Sequence, residues 1–109
     1  NTMHERKMKM NELADGVIAL PGGFGTIEEL FEMLTWAQLG LHSKPIGILN
    51  INKYYDHLIS LIQNMAKDSF LKSIHQDMLQ VSDDIESLYQ KMMQYSAPDL
   101  PKWLNKKKV

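Results

Sequence analysis

The residues richest in possible chemistry form one stretch, Pro21-Gly22-Gly23-Phe24-Gly25-Thr26-Ile27-Glu28-Glu29. It follows a short apolar run and opens an amphipathic one, so it joins a buried strand to a helix. Glycines in that position let backbone N–H groups approach an anion at the positive end of the helix, and the expected ligand is a phosphate. The stretch lacks the Lys-Ser/Thr ending of a nucleoside-triphosphatase loop and the Gly-x-Gly-x-x-Gly spacing of a dinucleotide site. Triphosphate hydrolysis and hydride transfer are therefore disfavoured. Glu28 and Glu29 would repel a phosphate unless they face another part of the ligand, and a ribose fits that place. A plainer reading stands beside this one: Thr26-x-x-Glu29 is a capping box with Thr26 as the N-cap, and the glycines only make a tight turn.

A second constellation is His4-Glu5-Arg6-Lys7-Met8-Lys9-Met10. On a helix Arg6 and Met10 share a face, and Met3 and Lys7 lie one turn apart on the neighbouring stripe, so a cation could be tethered beside a buried surface. Spacing alone fits ordinary solvated charges as well. His4, His42, His57 and His75 show no two-histidine metal spacing, and with no cysteine in the chain thiolate sites and disulfides are excluded. We expect no metal.

These residues must be held by a scaffold that 109 residues can build, which is one domain. Met3 to Ala14 predicts a helix ending before Asp15-Gly16, and Val17-Ile18-Ala19-Leu20 predicts a strand buried on both faces. Thr26 to Leu39 predicts a helix closed by Gly40. Ile46-Gly47-Ile48-Leu49 predicts a second strand, Tyr54 to Ala66 a helix, and Phe70 to His75 a shorter amphipathic piece. Met78 to Val81 predicts a third strand, and Ser82-Asp83-Asp84 could cap a helix from Ile85 to Gln94. Strands alternating with helices imply a parallel sheet covered on both faces, an α/β Rossmann-like three-layer αβα fold. Three strands leave sheet edges open, so we expect further N-terminal strands missing from this chain. The domain should occupy residues 1–95, as the C-terminal part of a nucleotide-binding unit, with residues 96–109 a tail.

Charge and hydropathy narrow the partners. Four of the 12 basic residues lie in the last eight positions, which leaves 8 basic against 13 acidic groups in the rest. Such a body offers no broad polyphosphate-binding surface, so nucleic acid is not an expected partner. No apolar run approaches the ~20 residues that span a bilayer, and no signal-type stretch follows Asn1, so a cytoplasmic location without membrane contact is expected.

The glycine stretch matches the motif PGGxGTxxE, and Arg6-Lys7-Met8-Lys9-Met10 matches RKxxM. With these motifs the chain resembles the Lonely Guy family of cytokinin riboside 5′-monophosphate phosphoribohydrolases, long labelled as possible lysine decarboxylases. The first motif's fixed positions would recur by chance about once in 10⁷ positions. Thr35-Trp36-Ala37-Gln38-Leu39-Gly40-Leu41-His42-Ser43-Lys44-Pro45 and Tyr54-Tyr55 extend the likeness, which runs from Met3 to about Tyr95. Family members carry a further βαβαβ portion upstream.

The resemblance implies hydrolysis of the N-glycosidic bond of an adenosine 5′-monophosphate, often N6-substituted, to free base and ribose 5-phosphate, without cofactor. It implies that Arg6 and Glu29 are catalytic. It also implies that Arg6, Lys7, Gly22, Gly23, Phe24, Gly25, Thr26, Ile27, Glu28, Glu29 and Thr35 contact the substrate, and that the protein is a homodimer. Phe31, Met33, Trp36 and Leu39 could serve that interface or simply the core. The competing function is a non-catalytic nucleotide-binding protein that uses the same loop. Retention of both Arg6 and Glu29 favours the enzyme, since a binder needs the glycines but no acid beside the ribose.

Overall fold

Ile46-Gly47-Ile48-Leu49 is the chain's uninterrupted apolar strand, and such a strand is stable only where both faces are covered. The computed structural model, which describes residues 15–99, places it at the centre of a parallel sheet. Strand β1 is Val17–Ala19, helix α1 Phe24–Gln38, strand β2 Ile46–Leu49, helix α2 Asp56–Lys67, helix α3 Ser73–Gln76, strand β3 Leu79–Ser82 and helix α4 Ile85–Gln94, with a 3-10 turn at Ile51–Lys53. The sheet order is β1-β2-β3, and β1 pairs with β2 in the register Val17↔Ile46, Ile18↔Gly47 and Ala19↔Ile48. This is the expected α/β, Rossmann-like arrangement. The helix expected over Met3–Ala14, with Arg6 and Lys7, lies outside the described residues, as does the chain beyond Asp99.

Alternation along β2 divides the core. Ile46 and Ile48 pack with Ala19, Leu30, Met33, Ala37, Tyr55 and Met78 on the side that carries α1. On the other side Leu49 meets Leu88 and Met92 of α4. Gly47 permits that second contact, because a Cβ there would lie 2.8 Å from the Met92 sulfur and 2.9 Å from a Leu88 methyl. Met33 has no exposed surface, so it belongs to the core and offers nothing to a subunit interface. The expectation that β1 is buried on both faces is corrected: Val17 and Ile18 are half-buried, because β1 has a neighbour on only one edge among the described residues.

Local chemistry sets the helix ends. Gly40, at φ 77°, takes the left-handed position after α1, with Gly40 N–H donating to Ala37 and Leu41 N–H to Trp36. Asp84 caps α4 by accepting from Ser87 N–H at 2.8 Å, as its place before the helix predicted. The N-terminus of α1 differs from expectation. Its N-cap is Gly23, with no side-chain cap bond, so Thr26 sits inside the first turn and not at the N-cap position of a capping box. The helix starts earlier, at Phe24, with Gly23 taking the N-cap place that the capping pattern assigned to Thr26.

His42 secures the far end of α1. Its Nε2–H donates to the Met33 carbonyl at 2.9 Å, and its Nδ1 accepts from Lys44 N–H at 3.1 Å, which requires a neutral ring. Burial, opposed by the Met33 bond and aided by Lys44, holds this imidazole below its ordinary pKa. His75 shifts the same way through burial and then Lys72. As pH falls through about 6.5 the unfolded chain takes up protons that the folded rings refuse, so stability falls until the folded rings also titrate. The melting temperature should therefore drop between about pH 7.5 and about pH 5.5, and His42→Gln should drop less over the same interval. Equal drops would assign the acid sensitivity elsewhere.

Candidate functional site

The chain leaves β1 at its C-terminal end and enters α1 within a few residues, so α1 points its first amides at the space beyond the strand. The first intrahelical bond is Ile27 N–H to the Gly23 carbonyl at 3.2 Å. The amides of Phe24, Gly25 and Thr26 precede it and have no acceptor within the helix. The first turn contains no acidic residue and no side-chain cap. Each of those devices would stabilise a helix by about 0.5–1 kcal/mol, and their omission leaves the positive end open to an external anion.

A cavity of about 450 Å³ lies at this corner, lined by Val17 to Pro21, Gly25, Thr26, Glu29 and Leu30. Its floor is strand and its rim is the helix start, with one carboxylate on it. Glu29 is half-buried there, whereas Glu28 is exposed and does not line the cavity. One helical step turns a side chain by about 100°, which is enough to separate the two acids. Glu32, one turn beyond Glu29, has its Oε1 buried without a hydrogen-bond partner among the described residues.

The glycines divide by what surrounds them. A Cβ on Gly22 would collide with the Thr26 side chain, so Gly22 serves the loop's own packing. A Cβ on Gly23 or Gly25 would meet nothing within 4 Å. Gly25 lies inside a helix, where glycine costs about 0.5–1 kcal/mol relative to alanine. Nothing in the described fold requires it.

The other expected contacts scatter. Phe24 stands at the loop tip with 97% of its surface exposed. Ile27 packs against the core and its amide is used by Gly23, so it has no donor to give. Thr35 is exposed and lines a separate cavity of about 170 Å³ with Phe31, Leu34, Ile62, Met65 and His75. Six residues of helix, about 9 Å, separate it from Glu29. The cavity thus brings together Gly25, Thr26 and Glu29, with Gly22 against the Thr26 side chain and Gly23 as the helix N-cap beside them, and its lining includes none of Glu28, Ile27 and Thr35.

Two residues without an assigned role complete the geometry. The Tyr54 hydroxyl donates to the Gly22 carbonyl and the Tyr55 hydroxyl to the Leu20 carbonyl, each at 2.6 Å. Their rings meet edge to face, centroids 4.8 Å apart. Burial and then the neighbouring Tyr54 raise the Tyr55 phenol above its ordinary pKa, which keeps it a proton donor. The side chain of Asn50 accepts from Tyr55 N–H and donates to Asp56, both at 2.7 Å, fixing the start of α2. In the sequence a Tyr-Tyr pair after a strand carries no chemical signature, so only the fold reveals it. Among the described residues no three histidine or acidic side chains are grouped as a metal ion would need, and no helix is long and apolar enough to cross a membrane.

Comparison with known proteins gives this arrangement a family. The family described as possible lysine decarboxylase matches residues 1–92. A probable cytokinin riboside 5′-monophosphate phosphoribohydrolase of Oryza sativa subsp. japonica is 47% identical over 94 residues, covering 86% of this chain and 42% of the relative. Two cytokinin riboside 5′-monophosphate phosphoribohydrolases of Arabidopsis thaliana are similar. One is 42% identical over 86% of this chain and 44% of its own length, the other 44% identical over 85% and 41%. The chain therefore spans about two fifths of the length of the curated relatives it matches. These matches show the family: the chain belongs to the possible lysine decarboxylase family, the Lonely Guy family whose motifs it carries.

Proposed function

We propose that the protein containing this chain hydrolyses the N-glycosidic bond of an adenosine 5′-monophosphate, N6-substituted in the cytokinin case, releasing free base and ribose 5-phosphate. The observation that carries the reading is Glu29, half-buried on the rim of the cavity that the open α1 N-terminus faces. The names of the relatives point to the same reaction.

In this reading the amides from Gly23 to Thr26 hold the phosphate, and the ribose lies toward Glu29. Cleavage builds oxocarbenium charge at the anomeric carbon, which a carboxylate stabilises, attacks, or relieves by activating water. Bond-breaking sends the glycosidic electron pair to the base, and water supplies the hydroxyl of the new sugar. Arg6 would orient Glu29 or the ribose hydroxyls through its forked donors, with Lys7 a further cation for the substrate. The orphaned oxygen of Glu32 supports a cation on this face of α1, since a buried carboxylate oxygen needs a partner. The reading carries a cytoplasmic homodimer with it. Phe31, Trp36 and Leu39 on α1 are half-buried in one chain and offer apolar surface to a second copy.

Decarboxylation of lysine has less support. Such chemistry normally uses a Schiff-base lysine, and among the described residues no lysine lines the loop cavity. A nucleotide-binding protein without catalysis would need the glycines but not an acid on the rim.

Chromatography of AMP and isopentenyl-AMP after incubation with the complete gene product tests the proposal. Free base is expected, and two unreacted nucleotides would overturn it. Because glutamine keeps the shape and most of the hydrogen-bonding capacity of the side chain, Glu29→Gln should change stability by under about 1 kcal/mol while slowing base release about 10²-fold or more with AMP still bound. Near-normal release by that variant would remove Glu29 from the chemistry. Gly25→Val places its side chain in space the protein leaves open. It should weaken AMP binding about tenfold or more without lowering the melting temperature, and unchanged affinity by calorimetry would make the loop a structural turn only.

A further inference from the structure

Asn52 and Lys53 both adopt left-handed backbone conformations, at φ 52° and 62°. Lysine visits that region rarely, and such residues cost free energy that the surrounding structure must justify. Their consequence here is a sharp turn after β2 that sends Tyr54 and Tyr55 back across to the segment following β1. Tyr54 is 53% exposed, so packing gives little account of where it sits, and its hydroxyl could be served by water as well as by Gly22.

We propose that Tyr54 is a positioning residue for the anion-binding loop, fixing the Gly22–Gly23 peptide so that the Gly23 N–H is aimed at the ligand's phosphate. The proposal rests on the functional reading above. The described chain contains no cis peptide, and in a trans peptide the C=O and the following N–H point in opposite directions. Holding the Gly22 carbonyl on Tyr54 therefore turns the Gly23 N–H to the other side of the loop, away from Tyr54, which does not line the cavity. The Thr26 side chain packs where a Gly22 Cβ would be, so the same peptide is held from both sides. Without these restraints the Gly-Gly pair could rotate freely, because glycine tolerates most backbone angles.

Tyr55 provides an internal control. Its hydroxyl holds the Leu20 carbonyl, where the next residue is Pro21 with no N–H to aim, and also meets the Gly22 backbone on the Pro21 side of the Gly22–Gly23 peptide. Tyr55 is buried in the core cluster. Its role is structural, whereas that of Tyr54 is directional.

The test is calorimetric titration of the complete gene product with ribose 5-phosphate, AMP and adenosine, for the unaltered protein, Tyr54→Phe and Tyr55→Phe. Tyr54→Phe should bind ribose 5-phosphate and AMP about 5- to 20-fold more weakly. Its adenosine affinity should change less than about twofold and its melting temperature by less than about 2 °C. Tyr55→Phe should lower the melting temperature and leave the AMP-to-adenosine ratio unchanged. Unchanged AMP affinity in Tyr54→Phe, or AMP and adenosine weakened together, would overturn the positioning role while leaving the enzyme reading intact. If the unaltered protein binds AMP no better than adenosine, the phosphate loop itself fails and takes this proposal with it.

Discussion

The parallel pairing of β1 with β2 is the constraint on which the site depends. Ala19 opposite Ile48 puts the C-terminal ends of the two strands side by side, so the loop leaving β1 and the turn leaving β2 occupy one corner of the sheet. In a strand the side-chain period is two, and a slip of one residue would exchange the faces. Gly47 would then no longer lie under Leu88 and Met92, and Ile48 would leave the core it shares with Leu30 and Met33. The register that buries β2 is thus the same register that lets Tyr54 and Tyr55 reach the carbonyls of Gly22 and Leu20.

From that corner the electrostatics follow. α1 begins with amides that have no acceptor within the helix, no acidic residue in its first turn and a glycine where alanine would favour the helix more. These are losses in stability for an isolated helix, and they become gains only when an anion is present. In the proposed reading Glu29, in the next turn, faces the sugar, and the amides before it meet the phosphate. A negative charge in the first turn would compete with the ligand for the same helix end. On that proposal the order glycine, then threonine, then acid along α1 separates binding from chemistry by about one turn.

Much of this was legible in the residues. The three apolar runs gave the strands within a residue or so, Gly40 and Asp84 marked helix ends, and the glycine stretch marked the loop between β1 and α1. The capping pattern misled about the helix start, because Thr26-x-x-Glu29 satisfies it while the N-cap is Gly23, three residues earlier. The burial expected for β1 was overstated because a run of apolar residues does not reveal which strand holds the centre. The left-handed pair Asn52-Lys53 was hidden as well: neither residue demands that conformation, and the contacts of Tyr54 and Tyr55 impose it across more than 30 residues of chain. Thr35 was placed in the site by its motif alone, and helix geometry puts it at a different cavity. Periodicity reports which face a residue occupies, but not which cavity that face meets.

The central claim is that backbone amides at the start of α1 receive the phosphate of a nucleoside 5′-monophosphate. The most direct measurement is amide chemical-shift mapping of the ¹⁵N-labelled complete gene product titrated with ribose 5-phosphate. The account predicts that the largest changes fall on Gly23, Phe24, Gly25 and Thr26, with those of Thr35 and His75 small. Changes centred on the cavity around Thr35 and His75, or none at the start of α1, would contradict it.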